Sequence, residues 1–154
     1  VMDDYCGFTK LKQYIESQGT HNKIAIFGNL PDAFPLINYT NSDYALRYSG
    51  VWLACGIESY RKGGEPISQK TEEILKKAED FYINGIIDDF KRNKPAIVII
   101  NTSTTNNCIN LQNLSKEHPD FAKEWQKYSL SSTINTTKKD PVTYEIYLNN
   151  TVQK

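Results

Sequence analysis

Five polar residues stand where chemistry could gather in this chain: Asp32, Asn38, Tyr39, Arg47 and Asn101. The first three lie in Asn29 to Tyr39, directly after the apolar run Lys23-Ile-Ala-Ile-Phe-Gly28, and Asn101 closes a second such run, Ala96-Ile-Val-Ile-Ile100. If both runs are parallel strands buried on both faces, their carboxyl ends open on one edge of a sheet, where open α/β folds bind ligands. One acid, one base and three neutral polar groups suit a polar neutral ligand such as a saccharide better than a polyphosphate. Two readings stay open. Either these residues line a crevice between 29–39 and 102–113, with Phe34 and Leu36 folded inward beneath it, or the apolar residues plug the sheet end while Asp32 and Asn38 bond the loop backbone. Arg47, close to Tyr48 and Trp52, is either an anion binder or a structural arginine, stacked on a ring or paired with a carboxylate.

Other chemistries find no footing. Gly28 stands alone after its run, so neither GxGxxG nor a P-loop is present, and no GxSxG motif occurs. Asp88-Asp89 lies at i, i+1 on a helical pattern, where side chains diverge, and reads as a solvated face. His21 and His118 have no metal-ligand spacing and read as exposed or capping residues. Cys6, Cys55 and Cys108 fit no CxxC spacing, and their odd number argues against a disulfide framework. Each reads as a small buried apolar residue, with a single bridge as the alternative. The expectation is no catalytic residue, no metal and no cofactor. The glycosylation triplets at Asn38, Asn101, Asn113, Asn135 and Asn149 are what an Asn- and Thr-rich chain produces by composition.

The elements that must position these residues follow from periodicity. Phe8, Leu11 and Ile15 recur at helical spacing ahead of Gly19, predicting a helix over 8–18. Pro31 and Pro35 argue against a regular helix across Asn29 to Thr40, which reads as an apolar but irregular loop. A short strand and a turn are expected within 44–53. Ser68 is a plausible cap for a long helix to about Asn93, whose apolar stripe runs through Ile74, Ala78, Phe81, Ile86 and Phe90. Gly85 inside it marks a close approach or a bend. Thr102 to Asn113 reads as a polar loop, Pro119 opens a helix to about residue 128, and Ser129–Asn135 with Val142–Leu148 forms a hairpin. The predicted fold is α/β, a three-layer Rossmann-like sandwich with a mainly parallel sheet and a C-terminal antiparallel hairpin.

The chain has 154 residues and a mass of 17.6 kDa, which fits one domain over 1–154. Lys plus Arg and Asp plus Glu each number 18, so no net positive field exists to collect nucleic acid. With mean hydropathy −0.56 and no long apolar run, no membrane span is expected. The opening Val-Met-Asp-Asp has no signal-peptide character and reads as cut from a longer protein.

An ordered set of segments then resembles a family. Ile24-Ala-Ile-Phe, Pro31, Phe34-Pro-Leu-Ile-Asn-Tyr39, Arg47-Tyr48 and Trp52 precede the long helix. Pro95-Ala-Ile-Val-Ile-Ile-Asn101, His118-Pro-x-Phe-x-x-x-Trp125-x-x-Tyr128 and Tyr144-Glu-Ile-Tyr147 follow it. Together they resemble the C-terminal extracytoplasmic domain of bacterial polytopic glycosyltransferase-like membrane proteins of the GT-C class. The resemblance covers residues 8 to 148. It implies a non-catalytic domain on the periplasmic face of a bacterial inner membrane, attached to the membrane-embedded part of the same polypeptide and shaping access of a saccharide or polyprenyl-linked sugar. Catalytic carboxylates of that class lie in the membrane part, which this chain does not contain. Asn101 stands where Asp is as often expected. A self-contained small-molecule-binding domain and a protein interaction module are the alternatives.

Overall fold

The computed structural model describes residues 7–105, 108–136 and 141–152. Cys6 and the opening Val-Met-Asp-Asp lie outside the described residues. In chain order the elements are α1 (Phe8–Ser17), β1 (Lys23–Phe27), α2 (Leu30–Tyr39), β2 (Asp43–Tyr44), α3 (Trp52–Lys62) and α4 (Gln69–Asn93). They continue with β3 (Ile97–Asn101), α5 (Thr102–Thr105), α6 (Leu111–Glu117), α7 (Pro119–Trp125), β4 (Tyr128–Asn135) and β5 (Thr143–Asn149).

The strands form one mixed sheet in the order β2-β1-β3-β5-β4. The two apolar runs are neighbours and parallel, with Ile24 opposite Ile97 and Phe27 opposite Ile100. β2 adds a second parallel pair, whereas β5 runs antiparallel to both β3 and β4, so the sheet is parallel in its core and antiparallel at one end. Strand side chains alternate between faces, and here both faces are covered, which explains why β1 and β3 carry no polar alternation. Ile24, Ile26, Ile97 and Ile99 pack against Leu11 and Ile15 of α1 and Leu36 of α2. Ala25, Phe27, Val98 and Ile100 meet Ile86 and Phe90 of α4, Leu111 and Leu114 of α6, and Phe121 and Trp125 of α7.

Proline does not exclude α2, contrary to the sequence expectation. Pro31 sits in the first turn, where no intrahelical N–H partner is needed, so only Pro35 removes a bond. Ala33, Leu36 and Ile37 are buried at i, i+3, i+4, and Thr40 Oγ1 donates to the Leu36 carbonyl at 2.8 Å to close the end. Burial of that stripe and a satisfied terminus outweigh one missing hydrogen bond. The polar stretch 102–113 also folds more than expected: α5 occupies its start and α6 begins at Leu111. Helix α3 has no counterpart in the sequence expectation, because Ile57 is its one buried residue and Gly56 interrupts its pattern.

Helix α4 starts as expected, with Ser68 Oγ accepting the Thr71 N–H at 3.2 Å. Its buried side is confined to the second half, Tyr82 to Phe90, while Ile74 and Phe81 of the expected stripe are exposed. Earlier turns meet α3 through Arg61, whose guanidinium pairs with Glu72 at 2.9 Å and Glu79 at 3.0 Å. Gly85 answers a close approach by a side chain: a Cβ there would lie 2.5 Å from the Tyr48 hydroxyl.

Cys55 and Cys108 form a disulfide, correcting the reading of both as unpaired apolar residues. They are 53 positions apart, and their Cα atoms approach to 4.6 Å because α3 and the segment ahead of α6 pack on the same face of the sheet. No local spacing encodes such a meeting.

Candidate functional site

At the carboxyl ends of β1 and β3 the structure builds a closed polar node around Asp32. The residue lies in the first turn of α2, and its Oδ2 accepts the backbone N–H of Asn29 at 2.7 Å and Nδ2 of Asn101 at 3.0 Å. Its Oδ1 accepts the hydroxyl of Tyr144, on β5, at 2.7 Å. Asp32 is 8% exposed and Asn101 3%. A Cβ on Gly28 would fall 2.5 Å from Asp32 Oδ2, so the strand must end in glycine for the carboxyl to reach this position. The node ties β1, β3, β5 and α2 together, and the carboxyl is fully engaged within the protein.

The remaining sequence-derived residues are placed elsewhere. Asn38 and Tyr39 are on the far end of α2, roughly 9–10 Å along the axis from Asp32, and Tyr39 is exposed. The Tyr39 ring meets Phe8 edge-on with centroids 5.7 Å apart. Leu36 turns inward as expected, but Phe34 stays at the surface against the Tyr44 ring. Arg47 clasps Asp89: its backbone N–H donates to Oδ2 at 2.7 Å, and Nε and Nη2 donate to Oδ1 at 3.1 and 2.9 Å. Asp89 is 3% exposed, correcting the reading of Asp88-Asp89 as a wholly solvated face, whereas Asp88 remains outside. Of the five residues, then, Asp32 and Asn101 are in contact, and Asn38, Tyr39 and Arg47 occupy other surroundings. Among the described residues no group of three His, Cys, Asp or Glu side chains gathers as a metal site.

A cavity of about 480 Å³ lies between α3, α4 and α6. Ile57, Ile83, Ile109 and Leu114 give it an apolar lining, and Glu58, Lys62, Glu79, Asn113 and Glu117 supply polar groups. Cys108 forms part of one wall, so the disulfide fastens that wall to α3. Tyr82 also lines the space, and burial pushes its phenol well above the ordinary tyrosine value, keeping it neutral. Such a volume with a mixed lining can hold a small organic molecule whose apolar part excludes water and whose polar part is oriented by a few side chains.

The segment 102–113 supplies one side of this cavity, and its other sides come from α3 and α4 rather than from 29–39. The available signal for α3 was Leu53, Ala54 and Ile57 at helical spacing. Tyr144 was likewise unassigned to the strand ends, since its position depends on β5 joining β3. No helix among the described residues is long and apolar enough to cross a membrane. The chain matches no family model, no curated protein and no solved structure.

Proposed function

We propose that this chain is a non-catalytic, extracytoplasmic domain that holds a small amphipathic molecule in the cavity between α3, α4 and α6, on a three-layer Rossmann-like frame. The cavity carries the reading. Its volume of about 480 Å³ falls within the ~300–1,000 Å³ usual for small-molecule sites, and its apolar lining and polar groups suit two ends of one ligand. The layered frame is supported by two separate apolar cores, one on each face of the sheet. The Cys55–Cys108 bridge supports an oxidising compartment, because such bonds persist outside the reducing cytosol.

Together with the resemblance to GT-C-class proteins, the bridge favours a place on the outer face of a bacterial membrane, joined to a membrane-embedded part of the same polypeptide. A saccharide group, with or without an amino substituent, is then a fitting polar end of the ligand, and a neutral glycoside probes the seat itself. Titration of the isotope-labelled domain with hexyl glucoside tests the binding reading. The expected result is saturable NMR shifts at Ala54, Ile57, Ile83, Ile109 and Leu114; shifts centred on 28–40, or none at all, overturn it.

A further inference from the structure

The charges around the cavity narrow the class of its occupant, an inference that rests on the reading of that cavity as a ligand seat. Three carboxylates line it from three different elements, Glu58 on α3, Glu79 on α4 and Glu117 on α6, against a single lining ammonium, Lys62. Lys62 is already paired with Glu58 at 3.0 Å, one turn away on the same helix. Arg61, behind the lining, is held by Glu72 and Glu79. Even with Arg61 counted, the wall keeps an excess of negative charge.

Glu117 is the residue left over. It has no ion-pair or hydrogen-bond partner among the described residues, and it stands in the last turn of α6, where the helix dipole already presents negative charge. Lys116 in the same turn answers the dipole in part, and Glu117, exposed at the rim, is the lining carboxylate that a cation entering the cavity would neutralise. Beside these groups, Ile57, Ile83, Ile109 and Leu114 offer surface for hydrocarbon.

We infer that the cavity takes a small organic ammonium: a ligand with an apolar body against the isoleucines and Leu114, and a protonated amine among Glu58, Glu79 and Glu117. A phosphate or carboxylate in the same position meets like charge and is disfavoured.

Three probes with one apolar body separate the possibilities: hexylamine, 1-hexanol and hexanoate, each titrated into the full chain at neutral pH and followed by NMR. Hexylamine is expected to bind at least about tenfold tighter than hexanol, with hexanoate weakest, and the advantage of the amine to shrink at high salt. Glu117→Gln should remove several-fold of that advantage and leave hexanol binding unchanged. Equal binding of amine and alcohol within the cavity, or tightest binding of hexanoate, overturns the ammonium inference while the cavity remains a ligand seat. Failure of all three probes to shift any cavity residue overturns both.

Discussion

Asp32 and Tyr144, 112 positions apart, are joined by a 2.7 Å hydrogen bond from the tyrosine hydroxyl to the carboxyl Oδ1. The same carboxyl also accepts from Asn29 and Asn101, so donors from three parts of the chain meet on one buried side chain. Tyr144→Phe is expected to lower the unfolding free energy by about 1.5–3 kcal/mol, and Asp32→Ala by more, because it removes all three hydrogen bonds at once. Asn38→Ala, on the far end of α2, should stay within about 0.5 kcal/mol of the parent. Urea unfolding monitored by circular dichroism checks the order; equal effects at 32 and 38 would contradict the node.

Removing the Cys55–Cys108 bridge releases a closed loop of 53 positions. The chain-entropy model assigns such a loop about 4 kcal/mol. Reduction, or Cys55→Ser with Cys108→Ser, should therefore lower the melting temperature markedly while the far-ultraviolet spectrum at low temperature stays native, since the strands and helices around both cores keep their own contacts. A melting curve unchanged by reductant would contradict a stabilising bridge.

Gly85→Ala has a sign that ordinary helix propensity gets wrong. In a free helix the change gains up to about 1 kcal/mol. Here the new methyl would lie 2.5 Å from the Tyr48 hydroxyl, and the ring is held 4.7 Å from that of Tyr82. The substitution should therefore destabilise, by about 1–2 kcal/mol. Combining it with Tyr48→Ala should cost less than the sum of the two single changes, as a double-mutant cycle would measure.

Alkaline pH should weaken the fold through its buried phenols. Burial, with the Glu145 hydrogen bond and charge adding to it, pushes Tyr147 up to about 12 from the ordinary 10.0. Tyr44 and Tyr82 are raised further, again chiefly by burial. A group whose folded pKa is raised favours the folded state fully below its unfolded value and loses that contribution as pH climbs toward the folded one. Stability should thus fall from about pH 10 upward. Absorbance titration of the phenolates should show these tyrosines ionising above the ordinary range or together with unfolding, and ionisation of all ten near pH 10 with the fold intact would be inconsistent with their burial.

Much of the frame was readable because it rests on continuous patterns. β1 and β3 are uninterrupted apolar runs, α4 has a cap and an apolar stripe that is buried along its second half, and the β4–β5 hairpin follows two alternating β-rich segments. α2 was hidden because Pro35 outweighs Ala33, Leu36 and Ile37 in any local reading, although in the folded chain their burial prevails. Asp32 and Asn101 were legible together, since parallel strands put their carboxyl ends side by side. Arg47 as a carboxylate-paired arginine was legible too, but its partner Asp89, the place of Tyr144 and the cavity were not, because each joins elements whose proximity is set by packing rather than by sequence neighbours.

The most direct test of the cavity as a ligand seat is to fill it and measure binding. Ala54 lines the space from α3 and is only half-buried, so Ala54→Phe directs a ring into the opening from the edge of one core. The dissociation constant for hexyl glucoside, read from NMR shifts, should rise at least about tenfold in Ala54→Phe while shifts of β1, β3 and β5 remain those of the parent. Undiminished binding in a variant whose ring is shown to occupy the cavity would contradict the cavity as the seat of the ligand.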